Sequence, residues 1–200
     1  MKIAVYGDDN AYNELIQNNS AAECIRVNDV QQLFGQQADA YINLSGENIS
    51  GSVPEKPYFI NSVIDTLGEI NASKDTVRFN GWNGFLSKSS WEVAGEMTDH
   101  AAEVLSFLGK KFIPVSDEPG LISARVIAMI INEAFFAEAA AVSTPGEIDT
   151  AMKSGTNYPF GPFEWAEKIG LENIFNLLQK LAANDKRYEP APSLAKKIRL

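Results

Sequence analysis

Proton transfer, nucleophilic attack and metal binding need particular side chains, and this chain has few of them. It holds one histidine, His100, and one cysteine, Cys24. A Ser-His-Asp triad, or any other imidazole proton shuttle, would have to run through His100. That residue lies inside a helical pattern, where a solvated surface position is the commoner role. A single cysteine excludes an internal disulfide and a cysteine-based zinc site. Cys24 reads as a small, buried, apolar side chain, and no metal site is expected. Two tryptophans, Trp82 and Trp91, either line a pocket or simply pack, and packing is the usual case.

The elements that must hold these residues divide the chain in two. Residues 2–6 form a compact apolar strand that ends at Gly7. Residues 11–17 can make a short helix. Further strands are expected over 23–27, 40–44, 58–60, 77–79 and 111–115. Thr98 can cap a helix over 98–108, with Ala101, Val104, Leu105 and Leu108 on one face and Gly109 ending it. Strands alternating with helices imply an α/β domain with a mostly parallel sheet over residues 1–115. Past Asp117-Glu118-Pro119-Gly120 the pattern becomes helical. Residues 121–142 lack Pro and Gly and are apolar on most faces, so they must be buried in a core or against a second subunit. Thr144-Pro145-Gly146-Glu147 reads as a capping box with Pro at the first helical position, and that helix should end near Gly155. Gly161-Pro162 starts another, which Gly170 ends. A fourth covers 171–183, and Ser193 can cap a last short one. The boundary falls near Ser116, giving an all-α domain over 116–200.

The 200 residues carry 17 basic and 26 acidic side chains, a net charge of −9. That balance argues against a nucleic-acid partner, which needs clustered Lys and Arg. Apolar residues make up 45% of the chain, too many for a disordered one. No apolar run is long enough to span a bilayer, and the first residues read as a strand and turn rather than a signal peptide. A cytoplasmic protein without a membrane partner is expected.

Five motifs in order resemble the 3-hydroxyacyl-CoA dehydrogenase family, in its C-terminal domain. Asp117-Glu118-Pro119-Gly120-Leu121-Ile122 with Arg125 looks like D-x-P-G-F-I-x-N-R. Asn132-Glu133-Ala134 matches a helix motif. Glu147-Ile148-Asp149-Thr150-Ala151-Met152-Lys153 is similar to the I-D-x-A-M segment. Tyr158-Pro159-Phe160-Gly161-Pro162-Phe163-Glu164 resembles Y-P-M-G-P-F-E, and Pro190-Ala191-Pro192-Ser193-Leu194 resembles the P-S-x-L tail. The resemblance spans about residues 112 to 200. It implies a reduced Rossmann-like domain followed by a helical domain that forms a homodimer. It also implies oxidation of an (S)-3-hydroxyacyl-CoA to a 3-ketoacyl-CoA, with NAD as cofactor.

Carried over residue by residue, the resemblance is uneven in the first half. The family's G-x-G-x-x-G turn aligns with Gly7-Asp8-Asp9-Asn10-Ala11-Tyr12, so only the first glycine is kept. The second glycine lets the backbone approach a pyrophosphate, and the third lets helix and strand pack closely. Carboxylates on Asp8 and Asp9 oppose an anion there, and they can occupy the helix N-terminus themselves. Asp29 follows the second strand, either as a remnant of the ribose-binding acid or as a loop or helix cap. The family's catalytic His and Glu lie twelve positions apart; Asn80 stands at the first place and Glu92 at the second, with the same spacing. Asn80 can hydrogen-bond but cannot carry a proton near neutral pH. Glu92 without its His can equally be a salt-bridged surface carboxylate. Asn61 and Ser62 resemble the family's substrate-contacting S-N-T-S turn, and Ala124 replaces its catalytic Asn. These substitutions point to impaired dehydrogenase turnover. Two alternatives are a protein that binds acyl-CoA or another metabolite without catalysis, and a structural partner that dimerises through residues 121–142.

Overall fold

A computed structural model describes residues 1–17, 23–47 and 55–198. The chain forms two compact units, Met1–Leu121 and Ile122–Leu200.

The first unit is built on a sheet of seven strands among the described residues: β1 (Lys2–Tyr6), β2 (Glu23–Val27), β3 (Ala40–Asn43), β4 (Tyr58–Asn61), β5 (Thr76–Phe79), β6 (Ser90–Ala94) and β7 (Lys111–Pro114). Their spatial order is β2-β1-β3-β4-β5-β6-β7. The first five run parallel; β6 is antiparallel to β5, and β7 is parallel to β6. Strand order reverses direction between β1 and β3, as in a doubly wound nucleotide-binding sheet. Six of these strands are legible in the sequence. The seventh, β6, is not among the expected strands, although Trp91 and Val93 alternate with Ser90 and Glu92.

Alternation along the strands separates two apolar faces. Ile3, Val5, Ile42, Phe59, Val77, Phe79, Trp91 and Val93 point to one face. There α1 (Asp9–Ile16) supplies Ala11 and Leu15, and α2 (Asp99–Phe107), capped by Thr98, supplies Ala101, Val104 and Leu105. The opposite face carries Ala4, Tyr41, Tyr58 and Ile60. Leu33, Phe34, Ala38 and Ile70 cover it from turns and from a 3₁₀ turn at Val30–Gln32, not from α-helices.

On that second face the core of β5 holds a cation. Arg78 is fully buried. Its Nε donates to the Ser62 carbonyl at 2.8 Å, and its Nη2 donates to the carbonyls of Val63 at 3.2 Å and Glu118 at 3.1 Å. Its Nη1 meets Asp117 Oδ1 at 2.6 Å, and the Asp117 carboxylate also accepts the Leu67 amide. Gly120 N donates to Val63 O at 2.7 Å. These bonds fasten residues 117–121 to the first unit, so the division falls after Leu121 rather than near Ser116.

The second unit is helical: α3 (Ser123–Ala139), α4 (Pro145–Thr156), α5 (Pro162–Ile169), α6 (Leu171–Ala182) and α7 (Pro192–Ile198), with a 3₁₀ turn at Lys186–Tyr188. The helix α3 is shorter than the apolar run that announces it. Leu121 and Ala141 both have positive φ and bound it on either side. The helix α4 runs past Gly155 to Asn157, whose left-handed backbone ends it. At its start the expected capping box is formed: Glu147 N donates to Thr144 Oγ1, and Thr144 N donates to Glu147 Oε2 at 3.1 Å. The last helix begins at Pro192, one residue before the expected Ser193 cap, and the Ser193 hydroxyl bonds Phe135 O at 2.9 Å instead.

Two stability measurements follow. Replacing Arg78 with Met strips donors from Asp117 and three carbonyls, and breaking a buried ion pair costs about 3–5 kcal/mol. Asp117 is 35% exposed and rehydrates in part, so the lower end, about 3 kcal/mol, is expected. A urea midpoint that does not move would contradict this role. Separately, hydrogen bonds from the Ser143 and Thr144 hydroxyls and the Thr144 amide hold the Glu147 carboxyl down to about 2, from an ordinary 4.5. Because the folded value is depressed, the stabilisation is complete above pH 4.5 and is lost as pH falls toward about 2. Glu147→Gln should therefore flatten the pH dependence of thermal unfolding in that window and nowhere above it.

Candidate functional site at the carboxyl edge of the sheet

Ligands of open parallel sheets sit beyond the carboxyl ends of the strands, where strand order reverses. Here that place lies between β1 and β3. Gly7 follows β1, and a Cβ on it would sit 2.7 Å from Leu44 Cβ, so the close approach of these two strand ends requires glycine. Asp8 then caps α1: its Oδ1 accepts the Ala11 amide at 2.8 Å. Asp9 pairs with Arg26 at 2.6 Å, and Arg26 Nη2 also donates to Gly7 O at 3.2 Å while its guanidinium lies over the Tyr12 ring. The chain's own carboxylate thus occupies the helix N-terminus. Asp29 caps the 3₁₀ turn by accepting Gln31 N at 2.9 Å, the second of the two roles its position allows.

Further along the edge, asparagines close the loops. Asn61 Nδ2 donates to Leu44 O at 2.8 Å, and its Oδ1 accepts Gly81 N at 3.0 Å. A Cβ on Gly81 would meet the Asn61 side chain at 2.7 Å. Ser62, buried, donates to Asp65 O at 2.7 Å. Asn80, also buried, accepts Trp82 N at 3.2 Å through Oδ1. Asn43 was not singled out by sequence, yet it is fully buried and bonds Tyr58 Oη, Glu47 O and Ser45. An Asn ending an apolar strand just before a Ser-Gly turn was the available signal. Glu14, also unmarked by sequence, reaches from α1 to accept the amides of Gly84 at 2.8 Å and Ser87 at 3.0 Å.

The register explains the spacing of Asn80 and Glu92. In the antiparallel pair Arg78 faces Ala94 and Phe79 faces Val93. The ladder ends there, with Asn80 one residue past Phe79 and Glu92 one residue before Val93, so the twelve-residue spacing brackets the last cross-strand pair at the sheet's carboxyl edge. Asn80 and Glu92 share the edge with Asn61 and Ser62, whereas Gly7 and Asp29 belong to the β1 and β2 ends.

Other chemistry-bearing side chains have structural roles. His100 is exposed on α2. Trp91 stacks on Phe79 at 4.5 Å, and its indole N–H donates to Leu86 O. Trp82 is buried. Cys24 is half-buried, and that burial pushes its thiol pKa up. Lys110, buried, donates to Leu86 O at 2.7 Å and Lys88 O at 2.9 Å, and burial lowers its pKa. Among the described residues no group of three His, Cys, Asp or Glu could hold a metal.

The motifs of the second unit form clamps. Asp149 reaches across to the start of α5 and accepts the amides of Phe163 at 2.8 Å and Glu164 at 3.2 Å. A Cβ on Gly161 would lie 2.3 Å from that carboxylate. Lys153 pairs with Glu164, whose carboxylate also accepts Gly161 N. Asn132, buried in α3, donates to Glu189 O at 2.9 Å and accepts Ala191 N at 2.7 Å, so it fastens the tail. Ala124 is fully buried. Not all of α3 is covered: Val126 and Phe136 are exposed, as is Ile122 just before it.

Residues 120–200 match the family model of the 3-hydroxyacyl-CoA dehydrogenase C-terminal domain. The 3-hydroxyadipyl-CoA dehydrogenase of Escherichia coli is 38% identical over 105 residues, 52% of this chain and 22% of that protein. A probable 3-hydroxybutyryl-CoA dehydrogenase of Bacillus subtilis is 37% identical over 94 residues, 46% of this chain and 33% of its own. The chain therefore spans only a minor part of these relatives' lengths. The crystal structure of (S)-3-hydroxybutyryl-CoA dehydrogenase from Ralstonia eutropha superposes with a TM-score of 0.69 at 18% identity, covering 99% of this chain and 93% of that one. That of 3-hydroxybutyryl-CoA dehydrogenase from Escherichia coli gives 0.72 at 17% identity, covering 100% and 56%. At such identities these two structures bear on the fold alone. The clamps of Asp117, Asn132, Asp149 and Gly161 fall in the very motifs that carry the likeness, and over residues 120–200 the chain is similar to the C-terminal domain of 3-hydroxyacyl-CoA dehydrogenases.

Proposed function

We propose that this chain is a 3-hydroxyacyl-CoA dehydrogenase relative impaired in NAD-dependent turnover, and that it retains affinity for an acyl-CoA or a related metabolite. The observation that carries this reading is the Asp8 carboxylate on the Ala11 amide, with Asp9 beside it. A dinucleotide pyrophosphate would need that helix N-terminus. It would have to displace a covalently attached competitor and sit near like charge, at about 1 kcal/mol per pair at ~4 Å in water and about 4 near a protein surface. These residues do not fit NAD in the usual mode. Asn80 adds to the reading, since an amide held against Trp82 N is no general base, and losing such a base costs about 10²–10⁴ in rate. Glu92, Asn61 and Ser62 remain the residues to contact a bound acyl group at this edge.

A partner role accompanies this function. The exposed apolar residues of α3 favour a homodimer through the second unit. The compartment is the cytoplasm, where a lone thiol such as Cys24 stays reduced.

The test is NADH consumption with acetoacetyl-CoA beside a full-length relative, together with calorimetric titration of acetoacetyl-CoA in the absence of NADH. No turnover and a saturable heat of binding are expected. Asn80→His alone should not restore turnover, because the Gly7 loop is unchanged. Robust NADH-dependent turnover by the chain or by this variant overturns the reading of the loop. A folded protein with no acetoacetyl-CoA binding overturns the binder.

A further inference from the structure

One carboxylate of the first unit is spent on a distant loop. Glu14, on α1, accepts the Gly84 amide through Oε2 at 2.8 Å; through Oε1 it accepts the Ser87 amide at 3.0 Å and the Ser87 hydroxyl at 3.1 Å. Lys110 grips the same loop with the opposite charge, its Nζ donating to Leu86 O at 2.7 Å and Lys88 O at 2.9 Å. An anion thus takes the loop's amides and a cation takes its carbonyls, and such charge-assisted bonds are about twice as strong as neutral ones. Within the loop, Phe85 N donates to Trp82 O at 3.0 Å and Lys88 N to Phe85 O at 3.2 Å, so residues 82–88 fold as successive turns.

The loop joins β5 to β6 and begins at Asn80. Its Gly81 amide donates to Asn61 Oδ1 at 3.0 Å, while Asn61 Nδ2 donates to Leu44 O at 2.8 Å. A Cβ on Gly81 would stand 2.7 Å from the Asn61 side chain, so the two are in close contact and Asn61 follows the loop. Resting on the reading that this edge binds an acyl-CoA, we infer that Glu14 is a positioning residue for that ligand. By clamping Gly84 and Ser87 it holds the loop so that Asn61 keeps the orientation in which it meets the acyl group. Glu14 acts through the loop and touches no ligand itself. The two ends of α1 then have separate tasks: Asp8 closes the N-terminus, and Glu14 steadies the acyl edge. Because Lys110 keeps its own grip, loss of the Glu14 bonds loosens the loop without detaching it.

Calorimetric titration of the full chain with acetoacetyl-CoA, beside thermal melting, tests this role. Glu14→Gln keeps the size of the side chain but turns one acceptor into a donor that faces an amide. If the loosened loop holds Asn61 in place about a tenth of the time, the dissociation constant rises about tenfold. Ser87→Ala removes one of the three bonds to Glu14; it should give a smaller rise in the same direction, and it carries the test if Glu14→Gln does not fold. Val104→Ala opens a cavity under α2, away from this edge; it should lower the melting temperature and leave the affinity unchanged. Hydrogen exchange of the Gly84 and Ser87 amides should speed up in Glu14→Gln while the β1 amides stay protected. Binding by the unaltered protein with an unchanged dissociation constant in both Glu14→Gln and Ser87→Ala overturns the positioning role and leaves the binder standing. An equal loss of affinity in Val104→Ala assigns the effect to stability and overturns it too. No binding by the unaltered protein overturns both.

Discussion

The first unit depends on how its core holds the guanidinium of Arg78. A guanidinium without water is tolerable only if every donor is satisfied and a counter-charge is near. Arg78 meets both conditions by drawing in the Ser62 and Val63 carbonyls, the Glu118 carbonyl and the Asp117 carboxylate. That requirement shapes everything on its side of the sheet. The connection from β4 to β5 can be a compact turn because its carbonyls have a cation to converge on. The segment at 117–121 can leave the sheet at a defined place for the same reason. A helix on that face would have satisfied its own backbone; turns cannot, and the buried arginine does it for them.

The same logic explains which residues at the carboxyl edge can act chemically. Asn43, Asn61 and Asn80 all spend amide groups on backbone atoms of neighbouring loops. An amide suits this task because it both donates and accepts and keeps the same form at any physiological pH. For proton transfer that constancy is the defect. The edge is thus held together by amides. At the β1 end, Asp8 closes the helix N-terminus as a local cap closes any helix.

How much of this was legible in the sequence depended on whether the signal was local. The strands at 2–6 and 23–27 and the helix after Thr144 were readable because apolar runs and caps are short-range patterns. β6 was not, because its alternation spans only Ser90–Ala94 and Trp91-Glu92-Val93 also resembles a catalytic motif. The ends of α3 were overextended because apolar composition continues past both left-handed residues, Leu121 and Ala141. Positive φ in such residues is a tertiary outcome. Arg78 was missed although a cation inside Thr-Val-Arg-Phe is itself unusual; its partners lie 15 to 40 residues away along the chain, beyond any local pattern. The C-terminal motifs were recognised by likeness before their roles were known. Asn132 and Asp149 then proved to be tethers for distant backbone.

The tether at Asp149 also constrains how the chain can drift over evolutionary time. Gly161 leaves no room for a side chain because the Asp149 carboxylate fills the space where a Cβ would stand. A bulkier residue at 161 could be accommodated only by shrinking position 149, and that would leave the amides at the start of α5 without their acceptor. The two positions are therefore locked as a pair, so a lineage that loses one is expected to lose the other. A single substitution at either position therefore disturbs the start of α5, and only a paired change could relieve it.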